Sequence, residues 1–314
     1  MTNENFKDKL KHVNQFKLDD KFDILDLINN LAETGFNAKR LALACKIYEN
    51  MINTPDCVKF FGQAGAMVPV GLQGVIHDFI EEGFIDILVT TGASLTHDIA
   101  ETLGYHHLQG EVDINEIDDS TLHSCEMNRI YDVFLPNNVY EGIEDFVSQL
   151  EIPDYQMSVS EFLAFLGKQI PSHPKSILGI CAEKEVPIFC PAFTDSGLAL
   201  QLGFHHRKLN LNHFKDMLKM VEIAWDAKKA GVCIIGGGVP KNFIFQSLQF
   251  CPNSASFAIQ ITTDRPEPGG LSGATLQEAV SWGKISEGAR QSTVISDATI
   301  ALPIILWYLK KAIK

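Results

Sequence analysis

The sequence of 314 residues has no apolar run long enough to cross a membrane. Its most apolar segment, residues 298–309, includes a proline and is shorter than the roughly 18 residues that a membrane-spanning helix needs. Residues 1–22 are rich in lysine, aspartate and asparagine and lack the apolar stretch of a signal peptide. These absences predict a soluble, cytoplasmic protein.

Positive charge is also scarce, because the 26 lysine and arginine residues are outnumbered by 39 acidic residues, which gives a formal net charge of −13. An acidic surface repels phosphate backbones and attracts polycations. Nucleic acid is therefore not an expected partner, and neither is a membrane.

Cysteine and histidine patterns typical of metal sites are missing. The seven cysteines form no C-x-x-C pair and most lie within apolar runs, which predicts reduced core residues. Two adjacent histidine pairs, His106-His107 and His205-His206, have no carboxylates at ligand spacing and are interpreted as solvated or capping side chains. No metal is therefore predicted.

No repeat, low-complexity tract or linker divides the chain, and 46% hydrophobic residues are typical of a globular protein. Short runs rich in valine, isoleucine and phenylalanine alternate with amphipathic stretches. This alternation predicts an α/β fold, a doubly wound, mostly parallel, Rossmann-like sheet with helices on both faces. The predicted strands are residues 58–62, 85–91, 186–193, 232–236, 257–263 and 293–296, and the predicted helices include residues 37–51, 159–168, 212–228 and 276–281. We expect a single domain over residues 21–314, preceded by an extension, residues 1–20, that could pack on a neighbouring subunit.

Ligands of an open parallel sheet bind beyond the carboxyl ends of its strands. Four predicted strands run there into small residues, hydroxyls or a carboxylate, namely Gly92-Ala93-Ser94, Thr194-Asp195-Ser196-Gly197, Gly236-Gly237-Gly238 and Asp297-Ala298-Thr299. This pattern indicates an extended ligand such as a dinucleotide, although no G-x-G-x-x-G follows the first strand. Two interpretations of Asp195 and Asp297 stay open: the N-cap of the following helix, or a ligand of ribose hydroxyls.

A lysine nucleophile is one interpretation of residues 278–285, Glu-Ala-Val-Ser-Trp-Gly-Lys-Ile. Lys284 follows a large indole and a flexible glycine, an environment that could desolvate its amine and leave it neutral for attack on a carbonyl or imine. The other interpretation is a solvated surface lysine. Trp282 could pack in the core or offer its ring to a ligand cation, and Glu278 could be an exposed helix carboxylate or bind a ligand ammonium.

The same stretch resembles the active-site signature of the deoxyhypusine synthase family, and other blocks agree in order and spacing. These blocks are Thr90-Thr91-Gly92-Ala93, Cys190-Pro191-Ala192-Phe193-Thr194-Asp195, Gly236-Gly237-Gly238-Val239-Pro240-Lys241, Ser272-Gly273-Ala274 and Asp297-Ala298. The resemblance covers roughly residues 58–309. It implies NAD-dependent transfer of an aminobutyl group from spermidine to an acceptor amine through an enzyme-lysine imine, in a homotetramer whose sites straddle a subunit interface. In the family the acceptor is a lysine of translation factor 5A, which becomes deoxyhypusine.

The resemblance also implies roles for individual residues. It makes Lys284 the covalent nucleophile. It assigns eleven residues to NAD: Gly65, Ala66, Met67, Thr91, Gly92, Ala93, Asp195, Gly237, Thr263, Asp297 and Ala298. It assigns five residues to the substrate amine: Asn242, Gly269, Ser272, Glu278 and Trp282.

Departures from the family pattern fall in the amine pocket. Asn242 replaces the usual histidine, Leu271 replaces an aspartate, Thr96-His97 stands where two glutamates are common, and an aspartate is missing near Leu200. These changes are expected to weaken or redirect spermidine binding.

Three hypotheses therefore remain. The first is transfer to the translation-factor lysine, and the second is transfer to a free diamine such as putrescine, which gives homospermidine. The third is a catalytically silent protein that binds NAD or polyamine. The retained Lys284 argues against this last hypothesis, because a binding protein needs no nucleophile.

Overall fold

The computed structural model describes residues 10–110 and 117–313. Its helices are α1 (Ile24–Ala32), α2 (Phe36–Asn53), α3 (Gln73–Glu81), α4 (Gly92–Thr102), α5 (Asp119–Ser124), α6 (Asn138–Ser148), α7 (Val159–Gln169), α8 (Ile177–Glu183), α9 (Gly197–His205), α10 (His213–Asp226), α11 (Gly238–Leu248), α12 (Leu276–Ser281) and α13 (Ala298–Ala312). Its strands are β1 (Cys57–Gln63), β2 (Ile87–Val89), β3 (Leu108–Gln109), β4 (Met127–Ile130), β5 (Val133–Pro136), β6 (Ile188–Phe189), β7 (Lys229–Ile235), β8 (Ala255–Thr262) and β9 (Ile285–Ile295).

Six of these strands form one parallel sheet in the order β6-β2-β1-β7-β8-β9. Numbered along the chain within this sheet alone, the order is 3-2-1-4-5-6, which is the doubly wound arrangement that the sequence predicts. The order reverses between β1 and β7, whose last residues Gln63 and Ile235 are in register. Ligands of doubly wound folds bind at such a reversal, beyond the carboxyl ends of the strands.

Helices cover both faces of this sheet because successive side chains of a strand point in opposite directions. In β1, Phe60 packs with residues of α10, α11 and α12, whereas its neighbour Phe61 packs with residues of α1, α2, α3 and α13. Both rings are almost completely buried. Full burial of a large apolar side chain stabilises a fold by about 1.5–3 kcal/mol, so the alternation fixes which face of each strand meets which helices.

Two strands differ most from their predicted bounds. Strand β6 has only two residues, because Pro187 and Pro191 lie close to its ends and have no N–H group to donate to a neighbouring strand. Strand β9 is much longer than residues 293–296. It lies at the sheet edge, alternates irregularly between buried and exposed residues, and shifts register opposite Ala255 and Phe257, so a hydrophobic pattern does not reveal it.

The sequence pattern does not predict the second sheet, which has three short antiparallel strands in the order β3-β5-β4. Strands β4 and β5 join through a tight turn in which Tyr131 has a positive φ of 57°. Most side chains of the three strands are half-buried or exposed and show no regular alternation. Without an apolar period of two, such strands resemble loops in sequence.

Part of the expected N-terminal extension, residues 1–9, lies outside the described residues. Residues 10–20 contain no helix or strand, and Asn14 binds the end of α1 in its own chain. Its backbone N–H donates to the carbonyl of Glu33 at 3.0 Å, and its side-chain amide donates to Asn30 at 2.9 Å. Packing of this segment on a neighbouring subunit stays a prediction. No described helix is both long and apolar enough to span a membrane.

All seven cysteines are free thiols, and five of them are buried: Cys45, Cys57, Cys181, Cys190 and Cys233. The core prediction is confirmed for these five. It is wrong for Cys125, which follows the short polar helix α5 and is exposed, and Cys251 is half-buried. Burial raises the pKa of the Cys190 thiol to about 12, which keeps it protonated and unreactive.

Candidate functional site

A cavity of about 300 Å³ lies at the carboxyl ends of β1, β7, β8 and β9. Five residues predicted to bind NAD line it: Gly65, Met67, Thr263, Asp297 and Ala298. Ala66 lies in the same turn as Gly65. Glycine shapes the turns that follow β1 and β7, because Gly65 (φ 87°) and Gly236 (φ 71°) have left-handed backbones that other residues disfavour. Backbone turns at the strand reversal, with the nearby carboxylates of Asp264 and Asp297, fit the dinucleotide that doubly wound folds bind there.

Gly237 begins the turn into α11 and is covered by the loop of residues 263–275, here called the β8–α12 loop. A Cβ added at Gly237 would lie 2.4 Å from the Cα of Ser272, a separation that no real side chain tolerates. The N–H of Gly238 donates to Ser272 Oγ at 3.0 Å. The loop therefore rests directly on backbone at the start of α11, and only glycine allows this approach.

Lys241 holds the β8–α12 loop in place, a role that the sequence pattern does not indicate. Its ammonium donates to Gln260 Oε1 at 3.0 Å, to the carbonyl of Leu271 at 3.1 Å and to the carbonyl of Ala274. The Gln260 amide in turn donates to the carbonyls of Gly236 and Ser272 at 2.9 and 2.7 Å. Burial lowers the pKa of Lys241 to about 8, Glu278 opposes this shift, and the charge of Lys284 adds to it.

The other predicted cofactor residues follow β2, which lies next to β1, and β6, which lies at the edge of the sheet. Thr91 caps α4, and Gly92 packs so closely on the turn after β6 that an added Cβ would lie 2.5 Å from Ser196 Cβ. Asp195 is exposed in that turn. Strands β6 and β9 are five strand spacings apart, or about 24 Å. Thr91, Gly92, Ala93 and Asp195 therefore form a second group, and Asp195 and Asp297 of one chain cannot bind the same ribose.

The structure also tests the interpretation of the two aspartates as helix caps. Helix α9 is capped by Ser196, whose Oγ accepts the N–H of Ala199 at 3.2 Å, so the capping interpretation of Asp195 is wrong. Asp297 does cap α13, and its Oδ1 accepts the N–H of Thr299 at 2.9 Å. Asp195 makes no side-chain hydrogen bond to any residue that the structure describes, which leaves its carboxylate available to a ligand.

Lys284 lies at the amino edge of the sheet, immediately before β9. Its carbonyl accepts the N–H of Ala255, the first residue of β8, at 3.1 Å. Its Nζ lies 5.3 Å from the centre of the Trp282 ring, which is 57% exposed and therefore not a core residue. Glu278 is exposed one helical turn before Trp282. An accessible ring and a carboxylate beside an amine suit a cationic ligand.

Lys284 and the cavity lined by predicted cofactor residues are not brought together within one chain. Strand β8 separates the two edges by seven residue steps, or about 23 Å. One lysine side chain cannot span this distance. The β8–α12 loop runs from Thr263 at the carboxyl edge, past Gly237, to α12 near Lys284, so it is the element that both ends share.

The remaining amine-pocket candidates lie near this loop or its contacts. Asn242 is half-buried on α11 and its amide donates to Gln246 at 3.1 Å. Gly269 lies in the exposed part of the loop with a φ of 75°, and Leu271 exposes 41% of its surface. Leu200 is also exposed but lies on α9, beside the second group of cofactor residues.

The interpretation of the histidines as solvated or capping is wrong for His107, whereas His205 is exposed and His206 is the C-cap of α9. His107 has a side chain only 4% exposed, its Nδ1 lies 2.6 Å from Glu101 Oε1, and its Nε2 lies 2.9 Å from His97 Nδ1. The exposed His106 contacts the other oxygen of Glu101 at 2.9 Å. The carboxylate lies on α4, four residues after His97, whereas the pair follows that helix. The spacing of these residues along the sequence therefore does not predict that His107 contacts Glu101 and His97.

A six-stranded parallel sheet with helices on both faces and a glycine-lined cavity at its strand reversal defines an α/β protein of the doubly wound class. The sequence matches the deoxyhypusine synthase family over residues 26–309. It is 46% identical over 286 residues to the probable deoxyhypusine synthase 1 of Methanosarcina acetivorans, covering 90% of this chain and 89% of that protein. The corresponding protein of Archaeoglobus fulgidus is 42% identical over 287 residues, with 91% and 93% covered.

The fold is also similar to the crystal structure of a proposed deoxyhypusine synthase from Entamoeba histolytica. The TM-score is 0.64 at 17% identity, covering 94% of this chain and 96% of the other. The chain belongs to the deoxyhypusine synthase family, as the signature around Lys284 predicts. This membership implies a transferase.

Proposed function

We propose that the protein transfers an aminobutyl group from spermidine to an acceptor amine, with NAD as cofactor and Lys284 as the covalent nucleophile. The observation that carries the proposal is the position of the Lys284 amine, 5.3 Å from an exposed tryptophan ring in a chain of this family. Bound NAD would supply the hydride acceptor, and later the hydride donor, that an exchange of amines through imines requires. The two carboxyl-edge groups of residues would hold it.

The chain's own residues have separate tasks in this reaction. The Trp282 ring attracts a substrate ammonium through its negative face, and the Glu278 carboxylate binds a second one. Lys284 forms the imine that retains the aminobutyl group while the leaving amine departs. Lys241 and Gln260 fix the β8–α12 loop, which places Ser272 and Gly269 between the amine end and the cofactor edge.

A second copy of the chain would complete the site, which supports the homotetramer that the resemblance implies. Lys284 and the cavity at Asp297 are too far apart in one chain, and Trp282 is too exposed to keep water from an imine. If the amino edge of one copy packs near the carboxyl edge of another, Lys284 lies near the cavity at Asp297 and Trp282 is covered. Chains with Lys284→Ala mixed with chains with Gly237→Ala should then regain activity that neither variant has alone.

Borohydride trapping tests the nucleophile. Reduction in the presence of labelled spermidine and NAD should attach the label to Lys284, and Lys284→Ala should lose both label and transfer while NAD binding persists. Lys311→Ala, which removes an exposed lysine near the chain end, is the matched control and should behave as the unchanged protein. Label on another lysine would overturn the mechanism.

The acceptor is either the lysine of translation factor 5A or a free diamine. Neutral side chains favour the diamine as a second candidate, because Asn242 and the exposed Leu271 offer no charge where the family has a base and a carboxylate. Incubation with spermidine, NAD and either the factor or putrescine, followed by mass spectrometry, separates the two. If neither product forms and no NADH appears, the transferase proposal fails and the protein is a binding protein.

A further inference from the structure

The Glu101, His107 and His97 side chains form a continuous hydrogen-bonded chain, here called the histidine relay. Glu101 Oε1 receives both the backbone N–H of His107 at 2.8 Å and its ring Nδ1 at 2.6 Å. The other ring nitrogen of His107 meets His97 Nδ1 at 2.9 Å. The two rings lie 4.8 Å apart between centroids. Two contacts on one carboxylate oxygen fix the orientation of the His107 ring.

The positions of the protons follow from this arrangement. Burial raises the pKa of Glu101, but hydrogen bonds from His107 and His106 outweigh it and lower the pKa to about 2, so the carboxylate is ionised. An ionised carboxylate only accepts, so a neutral His107 ring donates its Nδ1–H to Glu101 and keeps a bare Nε2. That nitrogen must accept the Nδ1–H of His97. The Nε2 of His97 is therefore left as a bare proton acceptor.

A neutral ring on His97 agrees with its surroundings. Burial is the main cause that lowers its pKa to about 4, a positive charge on His107 would lower it further, and Glu101 opposes the shift. A metal ion does not explain the relay, because the facing nitrogens of His97 and His107 are only 2.9 Å apart and cannot both bind one ion placed between them. The relay therefore orients a base.

Helix α4 places this base near the cofactor edge. His97 follows Ala93 by four residues, so both lie on one face of α4 about 6 Å apart along its axis. The start of α4 is tied to the Gly65 turn through Gln63, which donates to Ser94 Oγ at 3.0 Å and to the Gly65 carbonyl at 3.2 Å.

The other end of the relay opens onto a large cavity. Glu101 and His107 line a cavity of about 860 Å³ that Asp297 also borders. The histidine relay thus connects the cavity beside the cofactor edge with the helix face that carries Ala93.

We propose that His97, held in its Nδ1–H form by His107 and Glu101, accepts the proton of the donor's secondary ammonium in the reaction proposed above. The N–H bond of the ammonium breaks, its electron pair stays on nitrogen as a lone pair, and the proton bonds to His97 Nε2. An amine with a free lone pair can lose hydride from the adjacent carbon, whereas an ammonium cannot. His107 and Glu101 are positioning residues that stabilise the imidazolium so formed. This inference rests on the proposed function.

The first test measures the tautomers of the two histidine rings and needs no reaction. In ¹⁵N-detected imidazole spectra of the unliganded protein, both His97 and His107 should show the Nδ1–H tautomer. Glu101→Ala should abolish this preference in both rings, whereas His106→Gln, which removes only the exposed partner of Glu101, should leave it unchanged. An Nε2–H tautomer for His97 in the unchanged protein would overturn the proposal.

The second test measures NADH formation in a single turnover with spermidine. His97→Gln should lower its rate at saturating spermidine on the order of 100-fold, the usual contribution of a general base, while the NAD dissociation constant stays within twofold. Glu101→Gln, which keeps the oxygen acceptor but loses the charge, should have a smaller effect than Glu101→Ala. His106→Gln should react like the unchanged protein.

The outcomes separate this inference from the proposed function. If the unchanged protein forms no NADH, the proposed function fails and the role of His97 fails with it. If it forms NADH and His97→Gln does so at the same rate, only the proton-acceptor role fails.

Discussion

The carboxyl edge of the sheet and its amino edge are built in different ways. At the carboxyl edge, glycine turns and a covering loop shape a cavity largely out of backbone, as the approach of Gly237 to Ser272 shows. At the amino edge, Trp282, Glu278 and Lys284 stand partly exposed on a short helix and the turn after it. The first is a preformed cavity, whereas the second, as the proposed site of an imine, would need a covering partner to exclude water. Substitutions should therefore affect folding and cofactor binding at one edge, and substrate chemistry at the other.

Gly237→Ala should have the largest effect at the carboxyl edge. Its Cβ would meet backbone of Ser272 at 2.4 Å, so the loop must move, and such overpacking costs about 1–3 kcal/mol. We expect a lower midpoint of urea unfolding and at least a tenfold, about 1.4 kcal/mol, loss of NAD affinity by calorimetry. Gly270→Ala is the control in the same loop, because its Cβ would meet nothing within 4 Å. Equal effects of the two variants would contradict a backbone-shaped surface.

Asp297→Ala and Asp195→Ala form a matched pair. Both should weaken NAD binding by about 1–3 kcal/mol through lost hydrogen bonds to hydroxyls. Only Asp297→Ala should also destabilise the fold, by about 1 kcal/mol, because it removes the cap of α13, whereas Asp195 caps nothing. Calorimetry with NAD and urea unfolding measure the two effects separately. Unchanged affinity in both variants would exclude the aspartates from the cofactor site.

Glu278→Gln tests the amino edge, where stability should be unaffected because the side chain is exposed. With carboxylates missing elsewhere in the amine pocket, binding should depend strongly on this one. We expect the apparent spermidine constant to rise about tenfold, or about 1.4 kcal/mol, with NAD affinity unchanged. Glu287→Gln, an exposed carboxylate on β9, is the control. A loss of NAD affinity in Glu278→Gln would mean that the two edges are not separate.

The smallest effect concerns pH. The folded pKa of Glu101 is about 2, below its ordinary value of 4.5, so its ionised form adds stability above about pH 4.5 that is lost as pH falls toward 2. Because the carboxylate is partly exposed, we expect only about 1 kcal/mol. Urea unfolding of Glu101→Gln should therefore show a deficit at pH 7 that shrinks toward pH 2. A deficit independent of pH would mean that only the shape of the side chain matters.

The sequence predicts the positions of the inner strands of the large sheet well, because they are buried on both faces and appear as apolar runs, whereas the lengths of the edge strands β6 and β9 are predicted wrongly. It also predicts the family from short blocks such as residues 278–285, which the comparison with known relatives confirms. The three small strands near Tyr131 are missed because partly exposed strands carry no periodic signal.

Sequence reasoning also fails where side chains distant in the chain meet. The contacts between Lys241 and Gln260 and between His97 and His107 depend on tertiary packing. The spacing of these residues along the sequence predicts neither contact. The separation of Asp195 from Asp297 by five strand spacings, or about 24 Å, depends on strand order, which motifs alone do not give.

The hydrogen bonds of Lys241 make the opening of the β8–α12 loop cooperative. One ammonium binds carbonyls at both ends of the turn from Leu271 to Ala274, and it also binds the side chain that holds Ser272. Lifting any one of these groups leaves a buried charge short of acceptors, which costs more than the single bond lost. The β8–α12 loop should therefore exchange its amide hydrogens as one cooperative unit rather than residue by residue, and a single side chain sets the free energy of that opening.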